Sequence, residues 1–196
     1  MLDKIFVIVF IISLTPLLLL ILLFQVLVYG RQAFYYQERT GYGGKTFTIV
    51  KFRTMKDLFD EQGFQLPDVY RLTKIGKILR FFSLDEIPNM LNVLRGEMSI
   101  VGPRPLLVQF YYILQEEQRK RYSVLPGITG LAQVSGRNNL SLSEKVSLDL
   151  KYISQVTLLN DLKICAQTFQ KMFTNSPNSE LGNQSIDNFT PKLDDN

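Results

Sequence analysis

An adjacent pair of acidic residues, Asp85 and Glu86, lies between a basic, apolar run and a segment of helical character. Arg80 precedes the pair, and a turn rich in Gly and Pro, residues 102–105, places Arg104 after it. Carboxylates beside cationic groups suit chemistry on phosphates, because a metal ion or an arginine can neutralise the charge of the substrate. The pattern therefore favours a phosphate-handling site built on the two carboxylates.

The same residues also fit a structural alternative, the start of a helix. Ser83 and Glu86 have the spacing of a capping box, in which a hydroxyl and a carboxylate satisfy backbone donors of the first turn. Asp85 in that turn would also interact favourably with the helix dipole. The local pattern alone favours the cap, so the choice between the two interpretations depends on the rest of the chain.

The composition limits the chemistry that the chain can perform. Its 196 residues suffice for one domain with a modest core. It has no histidine, which excludes the Ser/His/Asp and Cys/His nucleophile arrangements and histidine-ligated zinc. Lys and Arg exceed Asp and Glu by 22 to 18, which argues only weakly for an anionic partner. Cys165 cannot form an internal disulfide and has the setting of a buried helix position.

An apolar run from Ile5 to Tyr29 exceeds the roughly 20 residues that a membrane helix needs. A cleaved signal peptide fits poorly, because the run is too long and lacks a small-x-small cleavage site. A spanning helix is the generic expectation, but Thr15-Pro16 in the middle favours a kinked, re-entrant hairpin. Positive charge at both flanks, Lys4 and Arg31, is too sparse to decide between them.

The next segment predicts a β-hairpin. Residues 34–38 and 45–53 are rich in aromatic and β-branched types, and a glycine-rich turn separates them. The two-residue period of a strand puts Lys51 and Arg53 on one face with Ile49. Two cations on one strand face could bind phosphate, and a solvated strand edge with charged residues is the alternative.

The remaining pattern predicts a surface loop over residues 56–69 and then mostly helices. Residues 71–82 form a basic amphipathic helix, which suits either a membrane interface or a domain core. The other predicted helices are 87–94, ended at Gly96, 105–122, and 145–171, broken near Ser154. A glycine-rich block, residues 125–137, could bring backbone amides, Gln133 and Arg137 to an anion, although glycine that merely forms turns is commoner.

Several of these blocks occur together in the order of a known family. They are the apolar segment with Thr15-Pro16, QERTGYGGKTFTIVKFRTM, LTKIGKILRFFSLDEIPNMLNVLRGEMSIVGPRP and RYSVLPGITGLAQVSGRN. The chain resembles the bacterial sugar transferases that are monotopic, polyprenol-phosphate-dependent phosphoglycosyl transferases, in their small form with only the catalytic core. It departs from them at Thr15, where serine is usual, and in having only Lys4 before the membrane segment.

The resemblance implies a helix-rich α+β fold. Residues 1–30 would form a re-entrant membrane helix broken at Thr15-Pro16, and residues 31–174 one catalytic domain with a small β-hairpin and interfacial amphipathic helices. Residues 175–196 are polar and are predicted to be disordered. The implied location is the bacterial inner membrane, with the catalytic domain on the cytoplasmic face and partly in the inner leaflet. A homodimer is left open.

The resemblance also implies a reaction. A UDP-sugar would give its sugar phosphate to a polyprenol phosphate, with release of UMP, for the synthesis of a cell-surface glycan. Asp85 would attack the diphosphate and carry a covalent phosphosugar, and Glu86 would help to hold Mg²⁺. Carboxylates are known nucleophiles in phosphoryl chemistry. The predicted substrate contacts are Arg80, Arg104, Arg137, Lys51, Arg53 and Gln133.

Two other functions stay open at this point. A membrane-anchored basic adaptor without catalysis would need the basic helix, but it would have no use for Asp85 beside Glu86. A glycosyltransferase that moves only the sugar would release UDP instead of UMP. We expect no nucleic-acid partner, and the sequence does not specify which sugar is transferred.

Overall fold

The computed structural model describes residues 2–136 and 139–174. Its strands are β1 (Phe34–Thr40), β2 (Thr46–Phe52), β3 (Ser99–Val101) and β4 (Gly127–Thr129). Its α-helices are α1 (Leu2–Tyr29), α2 (Asp68–Arg71), α3 (Lys74–Phe81), α4 (Met90–Arg95), α5 (Val108–Ile113), α6 (Glu116–Arg119), α7 (Leu131–Ser135), α8 (Leu142–Ile153) and α9 (Leu158–Thr174). The predicted helix-rich α+β class is confirmed. The predicted tail, residues 175–196, and Arg137 lie outside the described residues.

Helix α1 is long and apolar enough to cross a membrane, with a mean hydropathy of 3.1. Many of its large apolar side chains are uncovered: Ile12 is 68% exposed and Leu27 72%. Lipid is the environment that would cover such a surface. The helix continues through Pro16, so the predicted re-entrant break stays a prediction. Thr15 donates its hydroxyl to the Ile11 carbonyl at 2.9 Å, a local bond that often accompanies helix bending.

Strands β1 and β2 form the predicted hairpin. They pair antiparallel from Phe34 opposite Phe52 to Thr40 opposite Thr46. In the connecting turn Gly43 has φ 62°, which glycine adopts at no steric cost. The hairpin is confirmed, and it fixes which side chains of β1 and β2 share a face.

The core is built around β2, and both halves of helix α1 contribute side chains to it. Ile49 packs with Val7 of α1 and with Val93 and Met98. Phe52, three residues further along β2, packs with Ile21 of α1 and with a buried leucine of α3. The apolar face of α1 that does not point outward is therefore covered by the rest of the chain.

Two predicted helices have different limits in the structure. The basic helix is α3, and it starts at Lys74 because the Thr73 side chain caps it by accepting from the Gly76 amide at 2.9 Å. The single helix predicted over residues 105–122 is wrong. Leu114 is extended there and separates α5 from α6. The predicted helix end at Gly96, with φ 80°, and the predicted break near Ser154 are confirmed.

Strands β3 and β4 form a parallel pair that the sequence did not predict. Their approach requires glycine, because a Cβ at Gly130 would lie 2.1 Å from the Gly102 carbonyl oxygen. The Gly127 amide donates to the Pro103 carbonyl at 3.0 Å and the Gly136 amide to the Ala132 carbonyl at 3.3 Å. These two amides are therefore used within the fold, and an anion contact by the rest of the glycine-rich block stays a prediction. This glycine-rich packing holds the turn that carries Arg104.

Candidate active site

Asp85 and Glu86 lie on a 3-10 turn, Leu84–Asn89, that begins after a residue in an unusual conformation. Ser83 has φ 54° and ψ 24°, in the left-handed region that residues other than glycine rarely adopt. Such strain, of order 1–3 kcal/mol, is kept mainly where the structure holds a functional group in place. The Ser83 side chain makes no capping hydrogen bond, so the capping-box alternative is wrong.

Two buried asparagines fasten this turn and the following helix to β2. The Asn89 side-chain oxygen accepts from the Val50 amide at 3.0 Å, and the Asn92 side-chain nitrogen donates to the Thr48 carbonyl at 2.8 Å. Both asparagines are buried, so they take the place of solvent for these backbone groups of β2. The sequence analysis missed them, because asparagine is usually a surface residue and no local pattern marks it as buried.

Glu86 is held by two cations from different parts of the chain. Its Oε1 lies 2.7 Å from Nζ of Lys51 and 2.8 Å from Nη2 of Arg104, and Nη1 of Arg104 lies 3.4 Å from Oε2. Burial alone would raise the pKa of Glu86, but Arg104 and Lys51 outweigh burial and hold the pKa well below its usual range. Glu86 is therefore ionised, and it joins β2 to the turn after β3.

Asp85 differs from its neighbour in having no direct partner. It is 9% exposed, and no described residue donates a hydrogen bond to its carboxylate. Burial raises the pKa of Asp85 to about 6, and the charge of Glu86 adds to the rise. Three cations oppose this shift: Lys51, Arg80 and Arg104. A buried carboxylate without donors, surrounded by cations, is a suitable nucleophile for an anionic substrate.

The other predicted cations of this region lie in the last turn of α3 and directly after β2. Arg80 donates from Nε to the Thr54 hydroxyl at 3.0 Å. Arg53 pairs with Asp57 at 2.6 Å on the surface. Lys51 and Arg53 therefore bind different carboxylates, although both follow the same strand. The positive charges of Arg53 and Arg80 both act on the Tyr29 hydroxyl, so both arginines lie near the end of α1.

A buried ion pair behind the site positions Arg104. Arg121 and Asp149 are each 2% exposed, and Nη2 of Arg121 lies 2.6 Å from Oδ2 of Asp149. The same Nη2 donates to the backbone carbonyl of Arg104 at 2.8 Å. The sequence analysis missed this pair, because it assigned Arg121 to the charged end of a helix. The two residues meet only through tertiary structure.

Two predicted substrate contacts, Gln133 and Arg137, are not joined by any described bond to the Asp85 cluster, which consists of Asp85, Glu86, Lys51, Arg80 and Arg104. Gln133, on α7, donates its side-chain amide to the Ile128 carbonyl at 2.7 Å. Arg137 lies outside the residues that the structure describes. For both residues the role in binding substrate stays a prediction.

The carboxylates also fit a magnesium ion shared with a substrate. Within residues 2–136 and 139–174 no group of three or more Asp, Glu, Cys or His side chains could hold a metal. Magnesium bound with phosphates, however, commonly takes only one or two carboxylates and completes its shell with phosphate oxygens and water. Within residues 2–136 and 139–174, no group donates to the Asp85 carboxylate, and Oε2 of Glu86 has only the 3.4 Å contact with Arg104. These oxygens are available to such an ion.

Substitution of Arg104 is expected to weaken turnover in a graded way. A hydrogen bond to a charged group typically contributes about 1.5–3 kcal/mol, so Arg104→Ala should lower kcat/KM by roughly 10- to 100-fold. Arg104→Lys keeps the charge but loses the bidentate geometry, so its kcat/KM should lie between the values of Arg104→Ala and wild type. Steady-state kinetics of the three proteins provide the test. Equal kcat/KM for all three would remove Arg104 from the site.

Comparison with known proteins gives a consistent set of relatives. The profile of the family described as bacterial sugar transferase matches residues 1–175. The uncharacterized sugar transferase EpsL of Bacillus subtilis is 44% identical over 161 residues, which cover 82% of this chain and 80% of that protein. The UDP-glucose:undecaprenyl-phosphate glucose-1-phosphate transferase of Caulobacter vibrioides is 40% identical over 81% of this chain and 63% of its own length.

A third relative is much longer than this chain. The undecaprenyl-phosphate galactose phosphotransferase of Salmonella typhimurium is 36% identical over 168 residues, which cover 77% of this chain but only 35% of that protein. A match over 77% of this chain is too long to leave out the Asp85 turn or the turn after β3. What these relatives have in common is thus the segment that builds the site.

Proposed function

The chain belongs to the bacterial sugar transferase family, and we propose that it transfers a sugar 1-phosphate from a UDP-sugar to a polyprenol phosphate. Two relatives are named for transfer of a sugar phosphate to undecaprenyl phosphate. The observation that carries the proposal is Asp85, a buried carboxylate among three cations to which no residue in the described part of the chain donates a hydrogen bond. Neither a non-catalytic adaptor nor simple helix capping gives a reason for that arrangement.

The proposed reaction has two displacements at the β-phosphorus of the UDP-sugar. In the first, an Asp85 oxygen forms a bond to this phosphorus, and the bond to the bridging oxygen breaks, so UMP leaves with that oxygen and the electron pair. In the second, an oxygen of the polyprenol phosphate attacks the same phosphorus and Asp85 leaves as a carboxylate. The product is a polyprenol diphosphate sugar, a precursor for a cell-surface glycan.

The other residues of the site set the charge of the two carboxylates and would bind the charged substrate. Lys51 and Arg104 keep Glu86 ionised, and together with Arg80 they lower the pKa of Asp85, so that its carboxylate form exists near neutral pH. The same cations would hold the diphosphate, whose oxygens accept charge-assisted hydrogen bonds. Mg²⁺, when bound through Glu86 and phosphate oxygens, would offset the repulsion between an anionic nucleophile and an anionic substrate.

The pH dependence of the first displacement is expected to follow Asp85. Its carboxyl group reacts only when ionised, and its pKa is raised to about 6. The rate should therefore be constant above pH 7 and fall about tenfold per pH unit below pH 6. Glu86→Gln removes the neighbouring negative charge, so its residual activity should persist to lower pH. Lys51→Gln removes a cation, so its acid limit should move to higher pH.

This profile is best measured as a single turnover of UMP release without acceptor. The polyprenol phosphate titrates near pH 6 itself and would otherwise contribute to the profile. An acid limit that stays at the same pH in both variants would contradict the assignment of the limit to Asp85.

Contacts at both ends of α1 support the re-entrant topology that we propose for it. Oδ2 of Asp3, in the first turn, accepts from the Ser99 hydroxyl of β3 at 2.6 Å. The Tyr29 hydroxyl, at the other end, lies 2.9 Å from the hydroxyl of Thr73. A straight helix across the roughly 30 Å hydrocarbon core would put Ser99 and Thr73 on opposite sides of the membrane. A hairpin bent at Thr15-Pro16 keeps both ends, and the catalytic domain, on the cytoplasmic face of the inner membrane.

We expect both flanks of α1 to resist labelling from outside the cell. Cysteines would replace Lys4 and Gln32, both exposed, in a Cys165→Ser background, which leaves the Asp3 contact intact. An impermeant thiol reagent should label neither position in intact cells and both after permeabilisation. Labelling of the Lys4 position alone in intact cells would mean a spanning helix. Pro16→Leu, which restores a backbone donor, should shift the protein toward that spanning form.

The proposed function is tested by the nucleotide that the reaction releases. A panel of UDP-sugars would be incubated with the purified chain, a polyprenol phosphate and Mg²⁺, and the nucleotides separated by chromatography. The proposal expects UMP with at least one of the sugars. Release of UDP would indicate a glycosyltransferase that moves only the sugar, and would overturn it.

A further inference from the structure

The wall of the site formed by β1 contains an aromatic side chain that the proposed reaction leaves without a role. Tyr35 pairs directly with Lys51 in the antiparallel hairpin. Directly paired residues of neighbouring strands extend from the same face of a sheet, with Cβ atoms about 5 Å apart. Because Nζ of Lys51 lies 2.7 Å from Oε1 of Glu86, Tyr35 is separated from the Glu86 carboxylate by a single lysine side chain.

The same face of β1 continues to the turn that carries Arg104. Gln37 and Arg39 follow Tyr35 at the two-residue period, and Nη2 of Arg39 donates to the Gln37 side-chain oxygen at 2.5 Å. Nη1 of Arg39 donates to the backbone carbonyl of Pro105, the residue after Arg104, at 3.2 Å. This face thus forms a continuous wall from the Glu86 end of the site to the Arg104 turn, with Tyr35 at its outer end.

The Tyr35 side chain is uncovered, whereas the aromatic residue before it on β1 is packed. Tyr35 is 41% exposed. Its neighbour Phe34, on the opposite face of β1, stacks on Phe52 with ring centroids 5.4 Å apart. Phe34 also packs on the cluster that Ile21 of α1 joins. Tyr35 therefore offers an uncovered aromatic surface on the face of the hairpin that carries Lys51.

We infer that Tyr35 is the stacking surface for the uracil ring of the donor, an inference that rests on the proposed function. In a UDP-sugar the base is separated from the attacked phosphorus by the ribose and the α-phosphate. Tyr35 has a corresponding place in the protein, beside Lys51 and one side chain away from Glu86, the neighbour of Asp85. An exposed aromatic ring at such a distance suits a planar base, since stacking on a tyrosine requires no hydrogen-bond partner.

Binding of UMP to the full chain in detergent, measured by calorimetry, tests this inference. UMP contains the base and one phosphate but no sugar, and its binding does not depend on turnover. Tyr35→Leu should weaken UMP binding by at least about fivefold, as expected for loss of base stacking, whereas Tyr35→Phe should stay near wild type. Tyr36→Leu is the matched control, because Tyr36 is the adjacent tyrosine, 62% exposed, on the opposite face of β1.

Each outcome of this experiment has a distinct meaning. Equal UMP affinity of wild type and Tyr35→Leu would overturn the inference while leaving the proposed function intact. A higher KM for the UDP-sugar with unchanged UMP affinity would overturn it as well, and would place Tyr35 against the sugar. Absence of UMP binding to the wild-type chain would count against the proposed function itself. Equal losses in Tyr35→Leu and Tyr36→Leu would indicate general damage to the hairpin and also overturn the inference.

Discussion

Replacing Asp85 by asparagine is expected to abolish turnover, with a fall of at least roughly a thousandfold in kcat. An amide has nearly the shape of the carboxylate but is a poor nucleophile, so the first displacement cannot occur. The fold should survive. Burial raises the pKa of Asp85 to about 6 in the folded chain, so at higher pH the folded chain holds an ionised carboxylate at a cost in free energy relative to the unfolded chain. A neutral side chain removes this unfavourable term, and the melting temperature at pH 8 should be unchanged or higher.

The matched control for this variant is Asp57→Asn. Asp57 is an exposed aspartate that pairs with Arg53 outside the Asp85 cluster, and surface pairs of this kind contribute little to stability. Its loss should leave both turnover and melting temperature close to wild type. Activity of Asp85→Asn close to that of wild type would show that another group is the nucleophile.

Replacing Arg121 by methionine is expected to give the largest loss of stability, about 3–5 kcal/mol. The substitution leaves the Asp149 carboxylate buried without its partner, since both residues are 2% exposed. For a chain of this size the loss corresponds to a fall of roughly 6–20 °C in Tm. Lys120→Met, at the neighbouring but exposed pair with Glu117, should change stability by no more than about 0.5 kcal/mol.

The double variant Arg121→Met/Asp149→Leu separates stability from positioning. Replacing both members of a buried ion pair by apolar residues is often neutral, so most of the lost Tm should return. Turnover should still be lower than wild type by roughly tenfold, because the Arg104 carbonyl has lost its donor. A double variant with full activity would show that Arg121 does not position Arg104. A single variant as stable as wild type would contradict the account of the pair.

The features that the sequence predicted correctly depend on local patterns. The hairpin follows from alternating residues around a glycine turn, and the helix end at Gly96 follows from a residue that tolerates positive φ. Lys51 and Arg104 were predicted to contact the substrate phosphates, which stays a prediction, and the structure brings both side chains to Glu86. The hairpin and the helix end could be predicted because residues close together in the sequence determine both.

The features that the sequence did not predict depend on contacts between distant positions. Asn89 bonds to a residue 39 positions away, and Arg121 to one 28 positions away. Nothing in the residues next to either one indicates that it is buried. The parallel pairing of β3 with β4 was not predicted for the same reason, since each strand has only three residues and the second begins with glycine. Ser83 is a further case, because its left-handed conformation is imposed by tertiary structure.

The central claim, that Asp85 carries the phosphosugar, is tested most directly by trapping the intermediate. A UDP-sugar labelled with ³²P in its β-phosphate would be mixed with excess protein in the absence of acceptor, quenched and digested. The account predicts one UMP released per labelled chain, with the label on the peptide that contains Asp85, lost on addition of polyprenol phosphate and absent from Asp85→Asn. Release of UMP without labelled protein, or label that persists in Asp85→Asn, would contradict it.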